Sequence, residues 1–430
     1  MMLNAKRKKH QSRSRRGESK YGKAVVIGGS ITGLTSARVL KDYFGQVTIV
    51  ERDQLGTAPE FRPGLPQSHH AHTIQPRGQA ILEDLFPGLV NEVLARGAVA
   101  IDNGNDVAFY QDGKWHKPKS GDGKITVAAS RMLLEAVLYA RVREQAGIDF
   151  IMEHEVVSLA VDESGEKVIG VNLRNRNAPH LEVTKLEADL VVDASGRSSR
   201  AYAWLSELGY PAPGETCINA HTGYASRIYH RPDRHPGNWK TLYVRPLPEY
   251  SSRGGIIVPL ENNRWHVTLV GMGGDYPATN EMGFMEFARS LPVPEFYATI
   301  QKAEALTRIY GYRNTENRMH HYENQPAYLE GFLVSGDAAL TLNPVYALGM
   351  TSAILGSQAL ERSLREQNDG DLKGLAQVFQ KQLARSTSRL WQLSISEDLK
   401  WSETEIVETP PQAQGRRPTY GLSQTVAVAA

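Results

Sequence analysis

"KAVVIGGSITGLTSARVLKDYFGQVTIVERD", residues Lys23 to Asp53, decides the fold class. Ala24 to Ile27 reads as a short apolar strand, and Gly28-Gly29-Ser30-Ile31-Thr32-Gly33 as a tight turn. Leu34, Ala37, Val39 and Leu40 recur with helical spacing, and Gly45 is expected to end that helix. Val47 to Val50 is a second apolar strand that closes on Glu51. The unit is therefore strand, glycine turn, helix, strand, acid. Such a turn lets backbone N–H groups at a helix N-terminus approach a pyrophosphate. Glu51 follows Gly33 by 18 residues, where a carboxylate can accept from both hydroxyls of a ribose. Ser30 departs from the pattern, which has Gly there; serine is small, and Gly29 beside it offers the close approach. The expected ligand is an adenine dinucleotide, against the alternative of a βαβ unit that binds nothing. An acid at position 51 disfavours a 2′-phosphate, so FAD or NAD is expected over NADP. Arg52, next to Glu51, joins the candidate binding residues.

The remaining composition sets bounds. The chain has 430 residues, 41% of them hydrophobic and 22% charged, as in an ordinary globular protein. A single cysteine, Cys217, excludes an intramolecular disulfide framework and a cysteine-rich zinc site, and fits a reducing compartment. No apolar run reaches the roughly 18 residues of a spanning helix. Eight Lys/Arg and one acid give residues 1–20 a charge of +7, whereas the whole chain is +2. The basic character is thus a tail, expected to be disordered, on a mildly acidic body. Nothing in the body continues the basic pattern, so no nucleic-acid partner is expected.

Two later segments choose FAD. "EADLVVDASGRSSR", residues 187–200, is a strand ending in Asp193-Ala194-Ser195-Gly196. "GFLVSGDAALTLNPVYALGMTSAI", residues 331–354, is a strand, then Gly336-Asp337, Pro344, and a helix opened by Gly349-Met350. Asp337 can hold a ribityl chain. The amides that begin the Gly349 helix can face the flavin pyrimidine edge, where the reduced ring carries negative charge. A nicotinamide dehydrogenase needs none of this.

Together these residues resemble a flavoprotein monooxygenase with the fold of para-hydroxybenzoate hydroxylase and squalene epoxidase. Gly28, Gly33 and Glu51 match that family's dinucleotide turn and ribose acid. Arg131, in "ASRMLLEAVLYARV", matches an arginine that contacts the cofactor. Asp193 and Gly196 match the second motif; Gly336, Asp337, Pro344, Gly349 and Met350 match the third. The resemblance implies a mixed α/β fold: a Rossmann-like FAD-binding βαβ domain, interleaved with a multistranded-sheet substrate domain, and a helical C-terminus. It also implies oxygen transfer from O2 to a small apolar, polyene or aromatic substrate, by alkene epoxidation or hydroxylation in secondary metabolism, with NAD(P)H or a flavin reductase as electron donor; the expected location, from the cysteine usage, is cytoplasmic.

"RPGLPQSHHAHTIQPRG", residues 62–78, holds three of the 13 histidines within four positions. It is similar to a narrower group, the bacterial epoxidases of polyether biosynthesis and their relatives. Their pattern falls here on Arg62, Gly64, Pro66, Gln67, His70 and His72. In that fold the segment passes near the isoalloxazine ring, which makes His70 and His72 candidate catalytic-pocket residues. Residue chemistry alone leaves three readings: a metal pair, pocket lining, or a satisfied structural pair. A metal needs further ligands, and no nearby Cys or His-x-x-x-His supplies them, so no metal site is expected.

The expected organisation is a tail over 1–20, cofactor-binding parts over 21–100, 126–210 and 321–365, substrate-side parts over 101–125 and 211–320, and a helical segment with a tail over 366–430. Helices are expected over 130–146, 281–305 and 349–400. A strand is expected over 148–161, and a hairpin turn at Gly165. The C-terminus is polar and Pro-rich before a helix-like apolar end, where the resemblance implies further helices. Two rivals share the fold, a prenyl reductase and a halogenase, although the W-x-W-x-I-P signature of tryptophan halogenases is absent. A rival of another class is a non-catalytic flavin-binding redox protein.

Overall fold

The computed structural model describes residues 20–116, 125–232, 237–367 and 370–411. Positions 1–19 of the basic tail and the apolar C-terminal end lie outside the described residues. The fold is mixed α/β, as expected. Its first layer is a five-stranded sheet in the order Phe332–Val334, Leu190–Asp193, Tyr21–Ile27, Phe44–Val50, Ile148–Ile151. Every pairing in it is parallel. The strands read as continuous apolar runs because both faces are covered. The helices Ile31–Leu40, Arg131–Arg143, Gly349–Glu366 and Leu375–Asp398 belong to this layer and share its core.

The second layer is a seven-stranded sheet in the order Tyr310–Tyr312, Gly223–His230, Arg264–Gly271, Arg253–Leu260, Thr241–Val244, Val107–Gln111, Lys114–His116. Its strand Arg264–Gly271 is covered on both faces, and side chains alternate between them. Trp265, Val267 and Leu269 pack with Phe284, Phe287 and Phe296 of the helices Glu281–Arg289 and Pro294–Ile300. His266 and Thr268 face the other way, onto the backbone of residues 69–71. The 62–78 segment therefore lies between the two layers.

Several boundaries differ from expectation. The first helix ends at Leu40, and Gly45 lies inside the second strand. Ser130 is a cap rather than a helical residue: its hydroxyl accepts from the Leu133 N–H at 3.1 Å, worth about 1 kcal/mol. The 148–161 stretch is two strands in two sheets, Ile148–Ile151 and His154–Val161, broken where Glu153 takes φ 59°. The 281–305 stretch breaks around Pro292 and Pro294, because proline cannot continue a helix. The 349–400 stretch breaks before Gly374, at φ 76°. The polar start of the C-terminus forms a strand, Glu405–Thr409, paired with Glu215–Asn219. It is the edge of a four-stranded sheet, which is why its composition is polar.

Candidate functional site

Register places the motifs along one edge. Ile27 lies beside both Val50 and Asp193, and Asp193 beside Val334. The residues that follow these strands therefore gather at the carboxyl edge of the parallel sheet, where open α/β sheets bind ligands. Backbone approach there is tight. A Cβ on Gly33 would sit 1.8 Å from the Gly28 carbonyl oxygen. Gly28 has φ 102°, and its Cβ would lie 2.6 Å from the Ala194 oxygen. The helix Ile31–Leu40 starts at Ser30 with no side-chain cap and no acid in its first turn. Its first amides and its dipole suit an anion.

Glu51 is buried at the end of the second strand. Its Oε2 accepts from Gly29 N–H at 2.6 Å, and its Oε1 from Asp53 N–H at 3.0 Å. A carboxylate has about four acceptor sites, so capacity for ribose hydroxyls remains. Ser30 has a task that glycine could not perform. Its hydroxyl donates to Glu135 Oε1 at 2.5 Å and accepts from Arg131 Nη2 at 3.0 Å. Glu135 also pairs with Arg131 at 2.7 Å and with Arg62 at 2.8 Å. Burial works against the Glu135 charge, yet Arg131 and Arg62 hold its carboxyl below the ordinary value. Arg62 further reaches Glu51 at 3.5 Å and Asp53 at 3.4 Å. Arg52, by contrast, is exposed and donates to the Gly64 carbonyl at 3.2 Å.

The second and third motifs behave differently. Asp193 is fully buried and accepts from Ser195 N–H at 2.9 Å and Ser199 Oγ at 2.5 Å, so it shapes its own loop. Burial raises its pKa against those donors. Asp337 is half-buried; burial raises its pKa, while Arg197 and Arg131 pull it down. Pro344 opens a short 3-10 turn, Pro344–Tyr346, and Gly349 and Met350 begin the next helix. The buried hydroxyl of Thr351, just after Gly349-Met350, has no protein partner. With an uncapped helix start, a buried acid after the second strand and Asp337 on the same edge, the donor set fits FAD.

The three histidines part company. His69 stacks between Phe61 and Tyr310, with ring centroids 4.1 and 3.8 Å away. His70 is buried, its Nδ1 2.9 Å from Ser226 Oγ, which in turn lies 2.7 Å from Thr268 Oγ1. The Tyr224 ring meets it edge-on at 4.6 Å. His72 takes the His70 carbonyl with Nδ1 at 2.8 Å, and its ring lines an apolar pocket with Ile74, Leu82, Arg131, Leu134 and Met350. Burial and neighbouring histidines push His70 down to about 2; burial and Arg131 push His72 down to about 3. His266, which holds the His69 carbonyl at 2.9 Å, is pushed by burial to about 4. All three rings are therefore neutral near pH 7. No cluster of three or more His, Cys, Asp or Glu that could hold a metal occurs among the described residues. The geometry of His70 is that of a satisfied structural group, and that of His72 is pocket lining.

Sequence reading missed Glu135, Arg197 and the Ser226–Thr268 pair. Glu135 carried a signal, being four residues after Arg131 on one helix. Ser226 and Thr268 carried none, because only the sheet register brings them together.

Comparison with known proteins agrees with the fold. The chain is 29% identical to Protein Rv3254 of Mycobacterium tuberculosis over 393 residues, covering 90% of this chain and 82% of that protein. Among solved structures, the myxobacterial chondrochloren halogenase CndH superposes with TM-score 0.63 at 17% identity, over 88% of this chain and 82% of its own. The flavin-dependent brominase Bmp2 gives 0.62 at 18%, over 88% and 89%. Pseudomonas aeruginosa pqsL, a probable FAD-dependent monooxygenase, gives 0.58 at 16%, over 88% and 94%. At these identities the structural likeness concerns the fold alone. The model of a family described as an FAD binding domain matches residues 22–373, and the chain belongs to that family.

Proposed function

We propose that the protein is an FAD-dependent monooxygenase that transfers one oxygen atom from O2 to a small apolar substrate, a polyene or an aromatic, by epoxidation or hydroxylation. The observation that carries this reading is the apolar pocket bounded by His72, Arg131 and Met350, since it opens beside the start of the Gly349 helix. Bound FAD would carry two electrons from NAD(P)H or a reductase to O2 and supply the oxygen-transfer chemistry, the second oxygen atom leaving as water. The chain's own residues bind, orient and exclude water. Glu51 is assigned to the adenosine ribose, the amides of Ile31 to Gly33 to the pyrophosphate, Asp337 to the ribityl chain, and the Gly349 amide end to the pyrimidine edge. His72, neutral near pH 7, offers a hydrogen bond without bringing charge into the pocket. Residues 21–100, 126–210 and 321–365 are assigned to the cofactor, and 101–125 and 211–320 to the substrate side. A relationship to polyether-type epoxidases rests on the Arg62–His72 pattern.

The test is a panel of alkenes and phenols with FAD and either NAD(P)H or a reductase. Product mass decides: one added oxygen supports the proposal. Added halogen identifies a halogenase, two added hydrogens a reductase, and no turnover at all a flavin-binding protein.

A further inference from the structure

The Leu375–Asp398 helix ends on a carboxylate in an unfavourable place. Asp398 is fully buried and stands at the negative end of the helix dipole. Its partners are three neutral donors. Asn317 Nδ2 donates at 2.6 Å, Asn343 Nδ2 at 3.0 Å and Tyr346 Oη at 2.6 Å. Burial lifts the carboxyl to about 6, against those donors. A group this costly to bury needs a reason beyond stability, because an apolar residue would fill the space more cheaply.

Two of its donors flank one turn. Asn343 immediately precedes Pro344, and Tyr346 ends the 3-10 segment. The next residue, Ala347, has φ 53°, a strained conformation for a side chain with a Cβ. Two residues later Gly349 starts its helix. The remaining polar atoms of Asn343 are also engaged. Its Oδ1 accepts from Val345 N–H at 3.2 Å, its Nδ2 reaches Thr222 Oγ1 at 3.0 Å, and its N–H donates to Asn317 Oδ1 at 2.8 Å. Asn317 Oδ1 also receives the Ser394 hydroxyl at 2.6 Å. The carboxylate thus clamps both ends of the strained turn that leads into the Gly349 helix.

We propose that Asp398 is a positioning residue for the flavin: it sets the 343–348 turn, and through it the helix start assigned to the flavin pyrimidine edge. The inference rests on that assignment. Its chemistry is electrostatic. Amides aimed at the ring stabilise the reduced, anionic flavin more than the oxidised one, so a loosened turn weakens binding of reduced FAD selectively.

The test compares wild type with Asp398→Asn and Tyr346→Phe, all loaded with FAD. Asn at 398 turns an N–H toward the existing donors; Phe at 346 removes one donor and keeps the ring, so it serves if the first variant does not fold. The expected result is a changed visible flavin spectrum and a loss of affinity for reduced FAD about tenfold greater than for oxidised FAD. That ratio lowers the two-electron midpoint potential by about 30 mV. A merely structural role would lower the melting temperature and leave the potential unchanged. Wild-type spectrum and potential in the folded variants overturn the inference alone. A wild-type protein that takes up no FAD overturns the functional reading and the inference with it.

Discussion

Acid should unfold this protein through its neutral histidines. His70 and His266 are buried, with pKa values lowered to about 2 and about 4. In the unfolded chain each titrates near 6.5. Below that value the unfolded state binds more protons than the folded one, so the stability these groups contribute is present above about pH 6.5 and lost as pH falls. Between pH 7.5 and pH 5, each costs about 1.5 pH units of linkage, or about 2 kcal/mol at 1.36 kcal/mol per unit. Asp398 works in the opposite sense. Its folded pKa, raised to about 6, makes the folded state the better proton binder between the unfolded carboxylate value and 6, so it returns about 1 kcal/mol over the same interval. The net expected loss from the three is about 3 kcal/mol; His72, which keeps partial solvent contact, adds to it. The assay is urea unfolding at pH 7.5 and pH 5 with fixed FAD, followed by tryptophan fluorescence. His266→Gln keeps a donor for the His69 carbonyl, and His70→Asn keeps a partner for Ser226. Each should shrink the pH-dependent loss by about 2 kcal/mol. Variants with the pH slope of wild type would refute the argument that these rings are buried and uncharged.

Purified protein should be yellow and release FAD, and Glu51→Ala should weaken FAD by about 1.5–3 kcal/mol in a fluorescence titration, the worth of charge-assisted hydrogen bonds. Asp337→Ala should weaken FAD while leaving far-UV circular dichroism unchanged; unaltered affinity would mean that Asp337 does not hold the cofactor. Gly33→Ala should abolish FAD uptake and cost about 3 kcal/mol or more, because its Cβ would collide with the Gly28 oxygen. His72→Ala should keep FAD and melting temperature but release more hydrogen peroxide per NAD(P)H consumed, whereas His70→Ala should lower the melting temperature by leaving Ser226 without its partner, worth about 1–3 kcal/mol. Peroxide release unchanged in the His72 variant would remove that ring from the pocket chemistry.

What could be read in advance was local in sequence. The Lys23–Asp53 unit carries its period, its turn and its terminal acid within 31 residues, and it folds as read except that the helix ends at Leu40 and both strands start three residues earlier, at Tyr21 and Phe44. Ser30 looked like a tolerated departure because its partners, Arg131 and Glu135, stand about a hundred residues away. The break at Glu153 was hidden because no glycine or proline marks it, and apolar residues resume at Val156 in a different sheet. The strand Glu405–Thr409 had no apolar alternation to betray it, since an edge strand is held by backbone pairing with Glu215–Asn219. His70 and His72, two positions apart, looked alike in sequence, yet His70 turns to Ser226 of the sheet and His72 to the pocket beside Arg131 and Met350.

The alternation along Gly223–His230 and Arg264–Gly271 has an evolutionary consequence. Trp265, Val267, Leu269 and Ala225 belong to the helix-packed core, whereas Tyr224, Ser226, His266 and Thr268 support the segment that carries His70 and His72. Neighbouring codons thus answer to separate selective pressures: one set to durability, the other to the shape of the site. Substitutions in the second set can reshape that segment without touching the helix-packed core, at a stability cost through His70, Ser226 and His266. A single-residue insertion has no such freedom, because it exchanges the two faces at once.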